Sequence, residues 1–162
     1  MYLFLDFDGV LHADFAGNEY FCHVPKLVNA LSEFPDVRIV ISSTWRLNRS
    51  VDELRGLLGP ALGSRVVGVT PELKGNEYAI YRRQNEIEAW LEANAKPWDD
   101  WIALDDMSSE FTPFCQHLIS THGEVGIYDA DIALLRLYLV HLHDCKDARK
   151  AAMVNTPTDG EL

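Results

Sequence analysis

The chain has 162 residues, enough for one domain with a full hydrophobic core. Apolar residues make up 48% and charged residues 24%, the balance of a soluble globular fold, and no stretch approaches the ~20 apolar residues of a membrane span. The formal net charge of −11 argues against non-specific binding to nucleic acid, which needs a basic surface, but is compatible with a small phosphorylated group held by a local cation.

Residues 2–5 are a short apolar run that predicts a buried strand, and it ends in Asp6, Asp8 and Gly9. Strand alternation sends Asp6 and Asp8 the same way. Two like charges that close need neutralising, and a divalent metal is the usual answer. Taken alone, the same residues are equally an Asx-type turn. Residues 11–24 read as a loop, with Gly17 and Asn18 as a hairpin turn signal and enough aromatic residues for a small flap. Residues 25–34 fit a short helix opened by Pro25, with Leu27, Val28 and Leu31 on one face. Residues 37–41 are a second strand, β-branched as in a parallel sheet covered on both faces, leading into Ser42, Ser43, Thr44, Trp45 and Arg46.

Ser50 and Glu53 form a capping box for a helix to about residue 58, stopped by Gly59 and Pro60. Residues 66–69 are a third strand. Residues 78–94 are the clearest helix, with Ile80, Ile87, Trp90 and Leu91 at helical spacing. Residues 101–104 are a fourth strand, closed by Asp105 and Asp106, and residues 117–120 a weaker fifth. A last helix runs from Asp129 or Asp131 to about His143, with Ile132, Leu135, Leu139 and Leu142 inward. Periodicity fades from Lys146, so residues 1–145 read as the domain and 146–162 as a mobile tail.

This alternation predicts an α/β fold: a three-layer, Rossmann-like parallel sheet with helices on both faces. Right-handed crossovers leave few topologies, and strand order 3-2-1-4-5 places the first strand centrally. Ligands in such sheets bind outside the carboxyl ends of the strands. Three polar clusters fall at those ends: Asp6 with Asp8, Ser42 to Thr44, and Asp105 with Asp106. Each alone passes for a polar turn or a cap; together at one edge they read as a site. Four converging carboxylates repel without a cation, and oxygen ligands favour a hard one, Mg2+. Arg82, Arg83 and Arg46 are the candidates for the positive group that a phosphate beside these acids requires.

His12 reads as a flap residue without a fixed role, and His141 and His143 as complements to a helix carboxyl end. Trp45 reads equally as a neighbour of the site or as packing at its rim, and Trp98 with Trp101 as core. The cysteines, Cys22, Cys115 and Cys145, fit neither a disulfide framework nor a zinc site and read as thiols of a reducing cytosol. The first apolar run is too short and too acidic for a signal peptide, so a cytoplasmic location is expected.

The ordered set resembles the haloacid dehalogenase (HAD) superfamily. Asp6, Asp8, Gly9 and Val10 resemble its first motif, Ser42 after Ile39, Val40 and Ile41 its second, Arg83 its basic third, and Leu104, Asp105 and Asp106 its fourth. Asp8 to His12, Ser42 to Arg46, the Arg83, Glu86, Ile87, Trp90 and Leu91 pattern, and Val125 to Ile127 resemble more narrowly the HAD domains associated with "Swiss army knife" RNA-repair proteins. The resemblance implies a Mg2+-dependent phosphatase, a phosphoric monoester hydrolase working through an aspartyl-phosphate on Asp6. Asp8 would serve as acid and base and lend the metal its backbone carbonyl. Ser42 would bond a phosphoryl oxygen, Arg83 would offset charge, and Asp106, with Asp105 through a water, would hold Mg2+.

Ser43, Arg46 and Arg82 are the further substrate contacts expected. The segments 11–24 and 70–77 are too short for a cap domain, which implies an open site. An open site suits a bulky phosphorylated substrate, either a nucleic-acid end or a phosphoprotein. The alternatives are a non-catalytic binding or regulatory module on the same fold, or a phosphotransferase using the same intermediate.

Overall fold

The strands are short runs rich in valine, isoleucine and leucine, because both faces of the sheet they build are covered. A computed structural model describes residues 1–75, 77 and 80–154, with side chains through residue 145. The strands are β1 (Tyr2–Leu5), β2 (Arg38–Ile41), β3 (Val66–Val69), β4 (Trp101–Asp105) and β5 (Leu118–Ser120). They form one parallel sheet in the order β3-β2-β1-β4-β5, as the crossover rules predict. The helices are α1 (Val24–Leu31), α2 (Val51–Gly63), α3 (Arg82–Asn94) and α4 (Asp129–Val154).

Alternation along the strands divides the core in two. Leu3, Leu5, Ile39, Ile41, Ile102, Leu104 and Ile119 pack against Leu27 and Leu31 of α1, Leu54 and Leu58 of α2, and Leu135 and Leu139 of α4. Phe4, Val40 and Ala103 face the other way, onto Ile87 and Trp90 of α3 and onto Phe111. Leu5 pairs with Ile41 and Leu104, Ile41 with Val69, and Asp105 with Ser120. The next residues continue the ladder: Ser42 N–H donates to Leu5 O, Asp6 N–H to Leu104 O, and Thr70 N–H to Ile41 O. Thr70, Ser42, Asp6 and Asp105 therefore form one row at the carboxyl edge. Side chains repeat every second residue, so this row shares the α3 face with Phe4, Val40 and Ala103.

Several boundaries differ from the sequence pattern, for local reasons. Gly59, at φ 71°, kinks α2, and Pro60 restarts it in a direction that carries the helix on to Gly63. Tyr81 sits at φ 54°, outside the helical region, so α3 begins at Arg82; residues 78 and 79 of the expected helix lie outside the described residues. Helix α4 continues beyond His143 to Val154, because its later residues are mostly lysine, arginine and alanine, good helix formers without an apolar stripe. His141 is thus mid-helix, its Nε2 3.7 Å from Cys145 Sγ. Residues 155–162 of the expected tail lie outside the described residues.

The segment before α1 forms consecutive turns rather than a hairpin, with Glu19 N–H donating to Ala16 O and Cys22 N–H to Glu19 O. Trp98 is not core: it is 65% exposed, with Lys96 Nζ 5.6 Å from its ring centre. Trp101 is half-buried, edge-on to Phe4 and stacked on His117 with centroids 4.4 Å apart. Among the described residues no helix is long and apolar enough to cross a membrane.

Phe4 is fully buried at the centre of the α3 layer, edge-on to Trp90 and Trp101 at 5.7 Å. Phe4→Ala is expected to lower unfolding free energy by about 3–5 kcal/mol, read from the urea midpoint at unchanged m-value.

Candidate active site

Asp6 follows β1 directly and is 4% exposed. Its Oδ1 accepts the Phe7 N–H at 2.8 Å, and its Oδ2 lies 3.0 Å from Arg83 Nη1. The same nitrogen donates to Asp105 Oδ2 at 2.6 Å, while Asp105 Oδ1 accepts the Met107 N–H at 3.0 Å. Arg83 stands in the first turn of α3, so docking that helix on the sheet delivers its guanidinium between two strand-end carboxylates. Burial opposes the Arg83 charge, and Asp6 and Asp105 more than compensate, raising its pKa.

Asp106 completes a cluster in which carboxylate oxygens of Asp6, Asp105 and Asp106 lie within 4.8 Å of one another. One guanidinium does not balance these acids. Burial, then the charge of Asp6, pushes Asp105 up to about 7 against the pull of Arg83. Burial, then Asp14 and Asp6, pushes Asp106 up to about 6. Gly9 makes the third position possible. At φ 65° it turns the chain beneath Asp106, and a Cβ there would lie 2.5 Å from the Asp106 Cγ. Thr121 Oγ1 donates to Gly9 O at 2.7 Å and ties this turn to the end of β5.

Asp8 does not join the cluster. The strand ends at Leu5, so alternation no longer governs the chain by residue 8. Its Oδ1 lies 3.0 Å from His12 Nε2, and its Oδ2 accepts the Trp45 Nε1–H at 2.8 Å. His12 is no idle flap residue: it is fully buried. Trp45 is partly buried, and its indole faces the site through that bond.

Ser42 is fully buried in the row beside Asp6, and its Oγ has no hydrogen-bond partner among the described residues. A buried hydroxyl left this way costs about 1–3 kcal/mol, which a phosphoryl oxygen would recover. Thr70 Oγ1, in the same row, is likewise without a partner. Ser43 uses its Oγ to accept the Trp45 N–H at 3.4 Å, capping the turn Thr44–Leu47.

Arg46 differs from its expected role as a substrate contact. Its guanidinium donates to the carbonyls of Thr70, Ser42, Ser43 and Pro71, and to Glu86 Oε2 at 2.5 Å. These bonds use all of its N–H donors, and the group braces the ends of β2 and β3 against α3 instead of facing a ligand. Arg82 is exposed, turned away from the carboxylates that Arg83 bridges.

Two acidic residues at the site have no role assigned from the sequence. Glu86 is 4% exposed, one turn beyond Arg83, and its Oε1 also accepts the Leu73 N–H at 3.2 Å. A charged residue among Arg83, Ile87 and Trp90 on the inward face of α3 was the available signal. Asp14 lies beside Asp106, with its N–H donating to Gly123 O at 2.8 Å, and its pKa is raised by burial and then by Asp8 and Asp6. No spacing in the sequence marks it.

A raised pKa has a definite sign in stability. Folded Asp106 binds its proton more tightly than unfolded Asp106, so its contribution is fullest below 3.8 and is lost as pH rises through about 6. In chelator, Asp106→Asn is expected to match wild type in urea midpoint near pH 4 and to become the more stable protein by pH 7.

A model of the family described as "HAD domain in Swiss Army Knife RNA repair proteins" matches residues 2–132. No curated protein and no solved structure matches the chain. The matched span holds all five strands and every group of the site: the Asp6 carboxylate on Arg83, the Ser42 hydroxyl and the Asp105 and Asp106 pair. With this strand order and this edge, the chain belongs to the HAD superfamily, in the family of HAD domains found in Swiss Army Knife RNA repair proteins.

Proposed function

We propose that the protein is a Mg2+-dependent phosphatase that hydrolyses a phosphomonoester through an aspartyl-phosphate on Asp6. The fold is that of phosphoryl-transfer hydrolases. The observation that carries the reading is the Asp6 carboxylate braced by Arg83, with the unpartnered Ser42 hydroxyl next to it in the same row.

The donor set suits a hard dication: three carboxylates share one small region, and two of them have pKa values lifted by burial and mutual charge. Asp6 and Asp106 would hold Mg2+, with Asp105 through a water and Asp8 through its backbone carbonyl. When bound, Mg2+ would offset the charge of these acids and of the phosphoryl oxygens.

Asp6 attacks phosphorus, forming the Asp6 O–P bond as the bond to the leaving oxygen breaks. Asp8 gives its proton to that oxygen. Asp8 then takes a proton from water, the water oxygen bonds to phosphorus, and the Asp6 O–P bond breaks to release phosphate. Ser42 donates to a phosphoryl oxygen. Arg83 steadies Asp6 in its ionised form and offsets charge at phosphorus.

The segments that flank the site are too short for a cap, which favours a bulky substrate reached from solvent. The family description, RNA repair, supports a nucleic-acid end over a phosphoprotein, and the net charge of −11 restricts the contact to the terminal phosphate and its neighbours. The odd number of cysteines, with no disulfide spacing among Cys22, Cys115 and Cys145, supports action in the cytoplasm.

With 5 mM Mg2+ as a working condition of about that order, the protein is expected to hydrolyse p-nitrophenyl phosphate and 3′- or 5′-phosphorylated oligonucleotides. Chelator should stop turnover, and Asp6→Asn should lower it by at least about 1,000-fold. No turnover of any phosphomonoester by the folded, Mg2+-loaded protein would overturn the reading. Transfer to added alcohols in place of water would redirect it to a phosphotransferase.

A further inference from the structure

The carboxylate of Asp8 is fixed by two donors from different parts of the chain. The Phe21 N–H donates to His12 Nδ1 at 3.4 Å, so Nδ1 is the acceptor of the neutral ring and Nε2 carries the proton. Nε2–H therefore donates to Asp8 Oδ1, at 3.0 Å. Trp45 Nε1, a donor only, takes Oδ2 at 2.8 Å. His12 comes from the loop after β1 and Trp45 from the turn after β2, so closing the sheet brings them together.

The imidazole cannot turn away freely. Tyr20 and Phe21 meet it edge-on with centroids at 5.0 and 5.1 Å, and Trp45 at 5.9 Å. Phe7 packs edge-on against Phe21 and Trp45 behind them. Asp8 itself is 40% exposed on its side chain. A carboxylate that open would otherwise rotate about its broad last torsion. Each of its oxygens keeps a second lone pair for a moving proton.

We propose that His12 and Trp45 are positioning residues that hold the Asp8 carboxylate in the orientation needed to pass a proton to the leaving oxygen and later to take one from water. The inference rests on the phosphatase reading and adds to it a device acting through Asp8. A plug that only filled space beneath the loop would need neither the Nε2–H nor the Nε1–H. Misplacing a reacting group by about 1 Å costs on the order of 100-fold in rate, so the two bonds set a measurable quantity.

The test compares kcat/KM for an alkyl phosphate and for p-nitrophenyl phosphate, since kcat/KM reports the step in which the leaving oxygen departs. The alkoxide needs the proton; the nitrophenolate scarcely does. His12→Phe and Trp45→Phe keep an aromatic ring but lose the donor. Each is expected to lower kcat/KM for the alkyl ester by about 10- to 100-fold and for the aryl ester by less than about threefold. His12→Gln, whose amide N–H falls near the place of Nε2–H, should recover most of the alkyl activity. Mg2+ affinity by calorimetry should stay within about twofold in all three, since neither His12 nor Trp45 is among the residues that would hold the cation.

Equal losses on both esters, or none, with the wild type active, would overturn the inference and leave the phosphatase reading standing. A wild type inactive on both esters would overturn the two together. Loss of Mg2+ affinity in step with activity would also overturn it, by assigning the pair to the architecture of the metal site.

Discussion

The arrangement depends on one buried guanidinium. Arg83 Nη1 lies within hydrogen-bond distance of Asp6 Oδ2 and Asp105 Oδ2, carboxylates at the ends of neighbouring strands. Without it, paired strands would leave two buried negative charges facing each other, and removing one partner of such a buried set typically costs 3–5 kcal/mol. The pairing also fixes α3, because Arg83 reaches the edge only when Ile87 and Trp90 are seated on Phe4 and Val40. Packing of an apolar helix face and placement of the guanidinium between two strand-end acids are thus one event.

A second buried pair divides the labour. Arg46 and Glu86 are both largely enclosed, and burial lowers the Arg46 pKa while Glu86 opposes that shift. Glu86 lies one turn beyond Arg83, so α3 presents a cation to the acids of β1 and β4 and an anion to the turn after β2. Arg46 spends its donors on four carbonyls around that turn, and so fixes the backbone that carries Ser42 and Trp45. The charge that bridges the strand-end acids and the charge that shapes the walls around them sit on different arginines. The negative charge at Asp6, Asp105 and Asp106 exceeds what one guanidinium offsets, and burial first, then the neighbouring acids, lifts the pKa values of Asp105 and Asp106.

The fold was largely legible. Apolar runs at 2–5, 37–41, 66–69 and 101–104 have the length of strands, the second and third of them are β-branched, and helical spacing between them leaves little freedom in topology. Helix ends were less so. Tyr81 holds a left-handed conformation that no propensity predicts, and α4 carries on past Lys146 on helix-forming residues whose lack of an apolar stripe had hidden it. Of the site, Asp6, Ser42, Arg83, Asp105 and Asp106 stand out because each follows or faces a strand end. The partners of Asp8 do not: His12 is four residues away but looked idle, and Trp45 is 37 residues distant.

The sequence by itself determined which residues lie at the carboxyl edge, since strand period and parallel pairing are local and repetitive rules. It also determined the acidic character of that edge and, through its ordered motifs, the family. Only the tertiary structure decided the assignment among similar residues. Arg83 rather than Arg82 reaches Asp6, because one faces the sheet and its neighbour on the helix faces solvent. Arg46 is bound to Glu86, 40 residues on, and so is withdrawn from any ligand. Asp8 turns from Asp6 toward His12 and Trp45, because β1 has ended and packing of the loop replaces alternation. Each of these outcomes depends on burial and on bonds between distant segments, quantities that no window of neighbouring residues contains.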